Sequence, residues 1–202
     1  AGRAGQHHRD RDSDRFGGQQ YRGAAHGDRD RREDGHRDEG ERDLLRDVVD
    51  GMEGQGLRKL VIFNGHGGND FRQMIRELSL RTSVFVCAVE WWKIVDATAF
   101  FEKSGDHAGE LETSVMMHVA PDLVRPINEA GSGAAKRPRP KGMREGWAWA
   151  PRAWTRVTAD TGIGDPSRAS AEKGARYVQA VCERVAEFLV ELASVDPKNI
   201  YE

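Results

Sequence analysis

The first 43 residues of this 202-residue chain contain no leucine, isoleucine, valine or methionine. They hold ten arginines, eight aspartates and three glutamates, so their formal charge is −1. A stretch without aliphatic side chains cannot bury enough apolar surface to offset the entropy lost on ordering. We therefore expect residues 1–43 to be disordered or loosely packed, with short charge-paired helices at most. Because its acids cancel its bases, we do not expect this segment to bind nucleic acid.

The whole chain also has few cysteines, no long apolar run and a net charge close to zero. The two cysteines, Cys87 and Cys182, stand in apolar patterns, which predicts buried thiols in a reducing compartment and no disulfide framework. No apolar run approaches the roughly 18–20 residues that span a bilayer, and the N-terminus lacks the apolar core of a signal peptide. A net charge of −2 gives no general attraction to nucleic acid or to an anionic membrane. These absences predict a soluble cytoplasmic protein that binds neither nucleic acid nor a membrane.

From Leu44 onward the chain has the composition of one globular α/β domain, residues 44–202. Its apolar periodicity alternates between the two kinds of element: a helix at 41–55, a strand at 58–63, a helix at 70–80 and a strand at 83–89. This order is typical of a parallel sheet with helices on its faces. A long helix, about 167–194, closes the chain, and we expect Asp165 or Ser167 to cap it.

A glycine-rich loop, Asn-Gly-His-Gly-Gly-Asn at 64–69, follows the first predicted strand. Ligands of open α/β sheets bind at the carboxyl ends of strands, where this loop stands. The glycines Gly67 and Gly68 let backbone approach closely, and a neutral imidazole at His66 suits a divalent metal. Two other interpretations stay open: a turn with a solvated histidine, or a phosphate-binding loop, although the usual GxxxxGK[ST] and GxGxxG spacings are absent.

A second motif, Gly-Asp-His-Ala-Gly-Glu-Leu-Glu-Thr-Ser at 105–114, begins another helix. His107 and Glu110 are three residues apart and can face one side, whereas Glu112 points elsewhere. One glutamate can therefore bind a metal while the other braces the site. Alternatively, the glutamates favour the helix N-terminus and His107 caps it. Together the two motifs predict half of a metal-dependent hydrolase site.

Both motifs resemble those of the creatininase (creatinine amidohydrolase) family, as does TGIGDPSRASAEKG before the last helix, and the resemblance covers residues 44–194. It implies a three-layer α/β/α sandwich on a mainly parallel sheet, assembled as a homo-hexamer. It also implies two divalent metal ions, Zn, Mn or Fe, bridged by water or hydroxide. The implied reaction is hydrolysis of a C–N amide bond, of cyclic amide or formamide type, in a small molecule.

The resemblance also implies roles for single residues. His66 matches a metal ligand, and Glu110 is the implied replacement ligand because Gly68 stands where creatininase itself has a glutamate. His107 is implied to contact the substrate or to take part in proton transfer, and we predict a catalytic role for Glu112 beside it. The predicted substrate-binding residues are Trp91, Trp92, Gly67 and Gly68.

One part of the family pattern is missing. The family supplies a glutamate, a histidine and an aspartate from an upstream segment of the form GSxEQHGPHLPxxTD, but here Gly5 and Phe16 stand at the glutamate and aspartate positions. We therefore expect residues 44–202 to lack the first strand and loop of the family domain, and we hypothesise a frame error over residues 1–43. Sequencing the coding DNA tests this hypothesis. The alternative function is a non-catalytic remnant that acts as a fold or oligomer module.

Overall fold

The computed structural model describes residues 30–201, and their side chains from Gly40 onward. The chain divides into two compact units, Ala1–Leu45 and Arg46–Glu202. Its first helix, α1, spans Asp30–Gly54 and so begins inside the charged segment, earlier than the predicted 41–55. The predictions for residues 1–29 lie outside the described residues, and the disorder expected over 1–43 stays a prediction.

The C-terminal end of α1 is joined to the chain just before the second strand. The Glu53 carboxylate accepts hydrogen bonds from the Thr82 hydroxyl and the Ser83 amide, each at 2.9 Å. Hydrogen bonds from Ser83 and Thr82 hold the pKa of Glu53 below its ordinary value. Val49 of the same helix is fully buried, whereas Val48 is exposed. The apolar stripe that the periodicity indicated is therefore only partly covered.

Two parallel strands carry the centre of the fold. Strand β1 is Lys59–Asn64, helix α2 is Phe71–Leu78 and strand β2 is Phe85–Glu90, with the register running from Lys59 beside Phe85 to Asn64 beside Glu90. The helical crossover between the strands permits parallel pairing. Within residues 30–201 the sheet has these two strands alone, so each keeps one edge without a ladder partner. Most residues of β1 are therefore only half-buried, and Phe63 is 54% exposed.

The second half of the chain is mostly irregular until its last helix. Two 3₁₀ turns, Trp91–Lys93 and Ala97–Ala99, occupy the amphipathic stretch after β2. The remaining helices are α3 at Glu110–Val119, the single turns α4 at Lys141–Arg144 and α5 at Trp154–Val157, and the long α6 at Ala171–Ser194.

Helix α6 begins later than the sequence predicted. Its cap is Ser170, whose hydroxyl accepts the Lys173 amide at 3.3 Å, so the prediction of Asp165 or Ser167 as the cap was wrong. Asp165 instead accepts the amide of Ser167 at 2.9 Å, in a turn that precedes the helix. A second turn, closed by the Ala169 amide on the Pro166 carbonyl, delays the helix start.

Helices α3 and α6 pack closely and enclose the main apolar cluster, whose buried members are Phe101, Leu111, Tyr177 and Val181. Gly174 on α6 permits this approach, because a Cβ at that position would lie 1.9 Å from the Ser114 carbonyl oxygen. The fully buried Ser114 hydroxyl accepts the Ser170 amide at 3.1 Å. These contacts fix α3 against α6, and therefore also fix the loop that enters α3.

Two expectations drawn from composition can be compared with the structure. Both thiols are free, but Cys182 is exposed on α6 and Cys87 is half-buried, so the prediction that both are buried was wrong. Cys182 lies on the outer side of a long surface helix, where an apolar residue need not be covered. Within the described part of the chain, no helix has the length and apolarity required to cross a bilayer.

Candidate functional site

Asn64, the last residue of β1, holds the glycine-rich loop in shape. Its side chain is 3% exposed. Its Oδ1 accepts the His66 amide and the Asn69 side-chain amide, both at 3.1 Å, and its Nδ2 donates to the Asn69 carbonyl at 3.3 Å. Asparagine side chains stabilise tight loops in this way because they satisfy backbone groups that have no ladder partner. The loop therefore leaves β1 with a defined conformation that carries His66.

The imidazole of His66 is exposed and is oriented by its own loop. Its Nδ1 accepts the Gly68 amide at 3.0 Å, so in the neutral ring the hydrogen is on Nε2. A Cβ at Gly68 would lie 2.9 Å from that same Nδ1, closer than a side chain tolerates. Glycine at this position therefore allows the backbone to close over the ring.

His107 is half-buried and is held by the segment that precedes α6. Its Nδ1 lies 2.8 Å from the Thr161 carbonyl oxygen. A carbonyl only accepts, so Nδ1 carries the hydrogen and Nε2 keeps its lone pair free. The backbone of His107 also forms an antiparallel bridge with Ile163, in which the two N–H···O distances are 3.0 and 2.7 Å. In the neutral ring, the His107 nitrogen that can accept a hydrogen bond is therefore Nε2.

The fold brings the two predicted histidines together. The ring centroids of His66 and His107 are 5.7 Å apart, and the rings are perpendicular. His66 comes from the loop after β1 and His107 from the loop before α3. In their neutral forms, one Nε2 donates a hydrogen bond and the other accepts one. Such a pair can hold a carbonyl oxygen and accept a proton within one small site.

Backbone strain is concentrated at this histidine pair. Ala108 (φ 49°) and Thr161 (φ 68°) are the two non-glycine residues with positive φ between residues 30 and 201. One follows His107 directly and the other supplies the carbonyl that binds it. Residues in such sparsely populated conformations persist where the surroundings over-determine them, and they cluster at functional sites.

Glu112 stabilises the strained residue beside His107. It lies in the first turn of α3, and its Oε2 accepts the Ala108 amide at 2.6 Å. The carboxylate reaches back over the helix N-terminus as the glutamate of a capping box does. The contact is compatible with the bracing role that we expected for one of the two glutamates, and that role stays a prediction. A catalytic role for Glu112 stays a prediction.

Glu110 is 1% exposed and has a cation as its partner. Its Oε1 lies 2.5 Å from Lys173 Nζ of α6, and its Oε2 accepts the Lys103 amide at 3.0 Å. Burial raises the pKa of Glu110, but the hydrogen bonds from Lys173 and Lys103 outweigh it, so the pKa lies below the ordinary 4.5. Its role as a metal ligand stays a prediction. To bind a metal, the carboxylate would first have to lose its contact with Lys173.

The two tryptophans after β2 have different environments. Trp91 donates from Nε1 to the Gly65 carbonyl at 3.0 Å and packs edge-on against Tyr177, with ring centroids 5.9 Å apart. It therefore connects the apolar cluster to the His66 loop. Trp92 runs beside the loop, since a Cβ on Gly67 would lie 3.6 Å from its ring. The predicted substrate contacts of Trp91, Trp92, Gly67 and Gly68 remain predictions.

The described side chains do not fit a complete metal centre. From Gly40 to Tyr201, no three histidine, cysteine, aspartate or glutamate side chains converge in a way that could hold a metal ion. A zinc site takes three or four protein ligands, and a two-metal site takes more. His66 and His107 are close to each other, whereas the carboxylates of Glu110 and Glu112 bind protein donors.

Trp154 joins the site from a distant part of the chain, which the sequence left open. Its ring centroid is 4.8 Å from that of His107, and the Arg152 guanidinium lies 4.9 Å above it. Trp147 and Trp149, which stand shortly before Trp154 in the sequence, are 76% and 86% exposed. The sequence did contain one signal for a contact between this region and His107. That signal is the TGIG segment, which belongs to the same family pattern and whose Thr161 and Ile163 hold His107.

Comparisons with known proteins agree with this fold. The sequence profile of the creatininase family, described as creatinine amidohydrolase, matches residues 36–189. A crystal structure from Bacteroides fragilis NCTC 9343, assigned as a creatinine amidohydrolase, is 43% identical to this chain and has a TM-score of 0.73. The match covers 80% of this chain and 63% of that chain. No curated protein has a matching sequence.

Two creatininase structures show the same fold at lower identity. A manganese form is 23% identical with a TM-score of 0.59, and the match covers 75% of this chain and 63% of that one. A creatininase mutant complexed with creatine is 23% identical with a TM-score of 0.58, over 76% of this chain and 64% of that one. This chain thus spans less than two thirds of each relative, and the predicted creatininase-like α/β fold is confirmed. The chain belongs to the creatininase family, which is a family of hydrolases.

Proposed function

We propose that this chain carries the downstream part of an amidohydrolase site, which hydrolyses a C–N amide bond in a small molecule. The bond is of cyclic amide or formamide type. The observation that supports this proposal best is the His66–His107 pair, whose ring centroids are 5.7 Å apart and whose neutral rings offer one Nε2 acceptor and one Nε2 donor. The manganese form and the creatine complex among its relatives are consistent with a metal-dependent reaction on a small molecule.

His107 is the residue that we propose to move the proton. Its Nε2 accepts a proton from the attacking water, and returns it to the nitrogen that leaves when the C–N bond breaks. The Thr161 carbonyl accepts the Nδ1 hydrogen throughout and so stabilises the imidazolium that forms in between. Gly68 and Asn64 hold His66, whose ring centroid lies 5.7 Å from that of His107. The products are a carboxylic acid and an amine.

The expected cofactor is a divalent metal, Zn, Mn or Fe, which would polarise the carbonyl and activate water. We propose His66 and Glu110 as its ligands among the described residues. His66 would have to lose the hydrogen bond from the Gly68 amide in either tautomer, because Nδ1 would either bind the metal or carry the ring hydrogen. Glu110 would have to release Lys173. Because these two residues do not complete a metal site, tight binding requires ligands beyond them.

The incomplete ligand set favours a second candidate function. In that case the chain is a non-catalytic member of the family that keeps the fold and acts as a module of an oligomer. The ion pair between Glu110 and Lys173 supports this alternative, since it satisfies a buried carboxylate without a metal. Free thiols at Cys87 and Cys182 are compatible with the cytoplasmic location that we propose in either case.

Metal analysis and an amide-hydrolysis assay distinguish the two functions. We expect up to two equivalents of Zn, Mn or Fe per chain, and hydrolysis of creatinine or another small amide that falls at least about 100-fold in His107→Ala. His118→Ala is the matched control, because His118 is exposed near the end of α3, outside the histidine pair. Metal at background level together with no hydrolysis would overturn the enzymatic proposal and favour the non-catalytic module.

A further inference from the structure

We propose that Arg152 is a positioning residue for His107, acting through the ring of Trp154 and held in place by Asp106. This inference depends on the proposed function only in that it concerns the same histidine. None of these three residues was predicted to belong to the site. Together with His107 they form a closed series of contacts, which we call the Arg152 clamp: Asp106, Arg152, Trp154 and His107.

The first contact of the clamp is a two-pronged ion pair. Arg152 donates from Nη1 to Asp106 Oδ1 at 2.9 Å and from Nη2 to Oδ2 at 2.8 Å. Two parallel hydrogen bonds fix the plane of a guanidinium as well as its distance. The hydrogen bonds to Asp106 also raise the pKa of Arg152, so the guanidinium stays charged. The pair joins positions 46 residues apart in the chain.

The second and third contacts pass this geometry to the imidazole. The guanidinium carbon of Arg152 lies 4.9 Å from the centre of the Trp154 ring, and that ring lies 4.8 Å from His107 at an angle of 52°. Arg is suited to this arrangement because its flat, weakly hydrated cation can stack on a ring while it binds a carboxylate. The indole therefore contacts both the guanidinium and the imidazole.

The clamp closes on itself because Asp106 immediately precedes His107 in the chain. The amides of both residues donate to the Ile163 carbonyl, at 2.7 and 3.0 Å. The backbone, the Nδ1 hydrogen bond to Thr161 and the Trp154 ring are thus three separate contacts of His107. The Nδ1 hydrogen bond and the Trp154 ring both restrict rotation about the Cβ–Cγ bond, so together they set the direction in which Nε2 points.

A simple stabilising role does not explain the arrangement. The side chains of Arg152 and Asp106 are 38% and 52% exposed, and pairs this exposed contribute about 0–1 kcal/mol. Arg184 and Glu187 on α6 form an ion pair of similar length, 2.8 Å, without an aromatic ring. The clamp differs from that pair in its geometry, because its guanidinium lies over a ring that contacts the proposed proton carrier.

Arg152→Lys tests the inference, because lysine keeps the charge but loses the flat, two-pronged contact. The direct readout is the tautomer of His107, followed by long-range ¹H–¹⁵N spectra of the full chain at a fixed pH near 8. We expect wild type to hold the Nδ1–H tautomer, and Arg152→Lys to populate both tautomers. In an amide-hydrolysis assay, kcat should fall about tenfold with KM changed less than about twofold. Arg184→Lys is the matched control and should change neither readout.

The two readouts separate this inference from the proposed function. If the chain hydrolyses no amide, the tautomer measurement still decides whether Arg152 positions His107. If Arg152→Lys and Arg152→Met both remain folded and keep the single Nδ1–H tautomer, the inference is overturned, whatever the activity. Loss of melting temperature in Arg152→Lys with an unchanged tautomer would also overturn it, because that result indicates structural stabilisation alone.

Discussion

Glu110 shows how one buried side chain can be satisfied in two chemically different ways. A carboxylate that is 1% exposed needs a cation, either a metal or a protein group. Here the Lys173 ammonium and the Lys103 amide occupy its two oxygens. The three-residue spacing of His107 and Glu110 could not show whether the partner is a metal or a protein cation. The cation that the structure supplies, Lys173, lies 63 residues after Glu110 in the chain.

Lys173→Met should destabilise the protein strongly, because methionine fills the space but leaves the Glu110 charge buried without a cation. We expect the free energy of unfolding at pH 7 to fall by about 3 kcal/mol, measured by urea denaturation. Arg184→Met, which breaks an exposed pair on the same helix, should cost less than about 0.5 kcal/mol. Equal losses in the two variants would contradict the assigned role of Lys173.

The same ion pair predicts a pH dependence with a defined sign. The folded-state pKa of Glu110 is below the ordinary value of 4.5, so its stabilising contribution is present above that value. As the pH falls below 4.5 and through the folded-state pKa, the carboxylate is protonated and the contribution disappears. The stability difference between wild type and Lys173→Met should therefore shrink in acid. A difference that stays constant from pH 7 to pH 3 would contradict the assignment.

At the scale of elements, the packing of α3 on α6 is what builds the site. The entry of α3 carries His107, Glu110 and Glu112, and α6 carries Lys173. The helices approach closely enough for Ser114 and Gly174 to touch, which no periodicity in either helix reveals. Apolar periodicity predicted both helices, because it records which side of each one is covered. It does not record how near the covering element lies.

Gly174→Ala should destabilise the protein because the added methyl would lie 1.9 Å from the Ser114 carbonyl oxygen. We expect a loss of about 2 kcal/mol in the free energy of unfolding, as for other overpacked positions. Gly51→Ala in α1 is the matched control, since nothing lies within 4 Å of a Cβ there. That control should gain up to about 1 kcal/mol from helix propensity. A neutral Gly174→Ala would contradict the close contact.

At the scale of the whole molecule, many large apolar side chains of the described residues face outward. The most exposed of them are Leu80, Leu123, Trp147, Trp149, Val190 and Tyr201, which are 72–88% exposed. Contiguous apolar surfaces often mark contacts with other chains, whereas apolar residues that are scattered singly need no partner. The homo-oligomer, which the family resemblance predicts to be a hexamer, therefore stays a prediction.

Sedimentation equilibrium tests this assembly. We expect a species of about six times the chain mass of 22.5 kDa, and a smaller population of it when Trp149, at 86% exposure, is changed to serine. Lys198→Ser near the C-terminus is a surface control that should leave the mass unchanged. A monomer at all concentrations would count against the oligomer.

Local sequence was enough to predict the helix–strand alternation, the loop at the end of β1 and the family. Apolar periodicity and glycine placement act over a few neighbouring residues, so strand and helix positions were correct to within a few residues over 58–89. Tertiary structure alone decided which distant groups meet. It paired Glu110 with Lys173, placed Trp154 against His107, and set the tautomers of both histidines through Gly68 and Thr161. Those contacts depend on the path of the whole chain, and a local pattern cannot encode them.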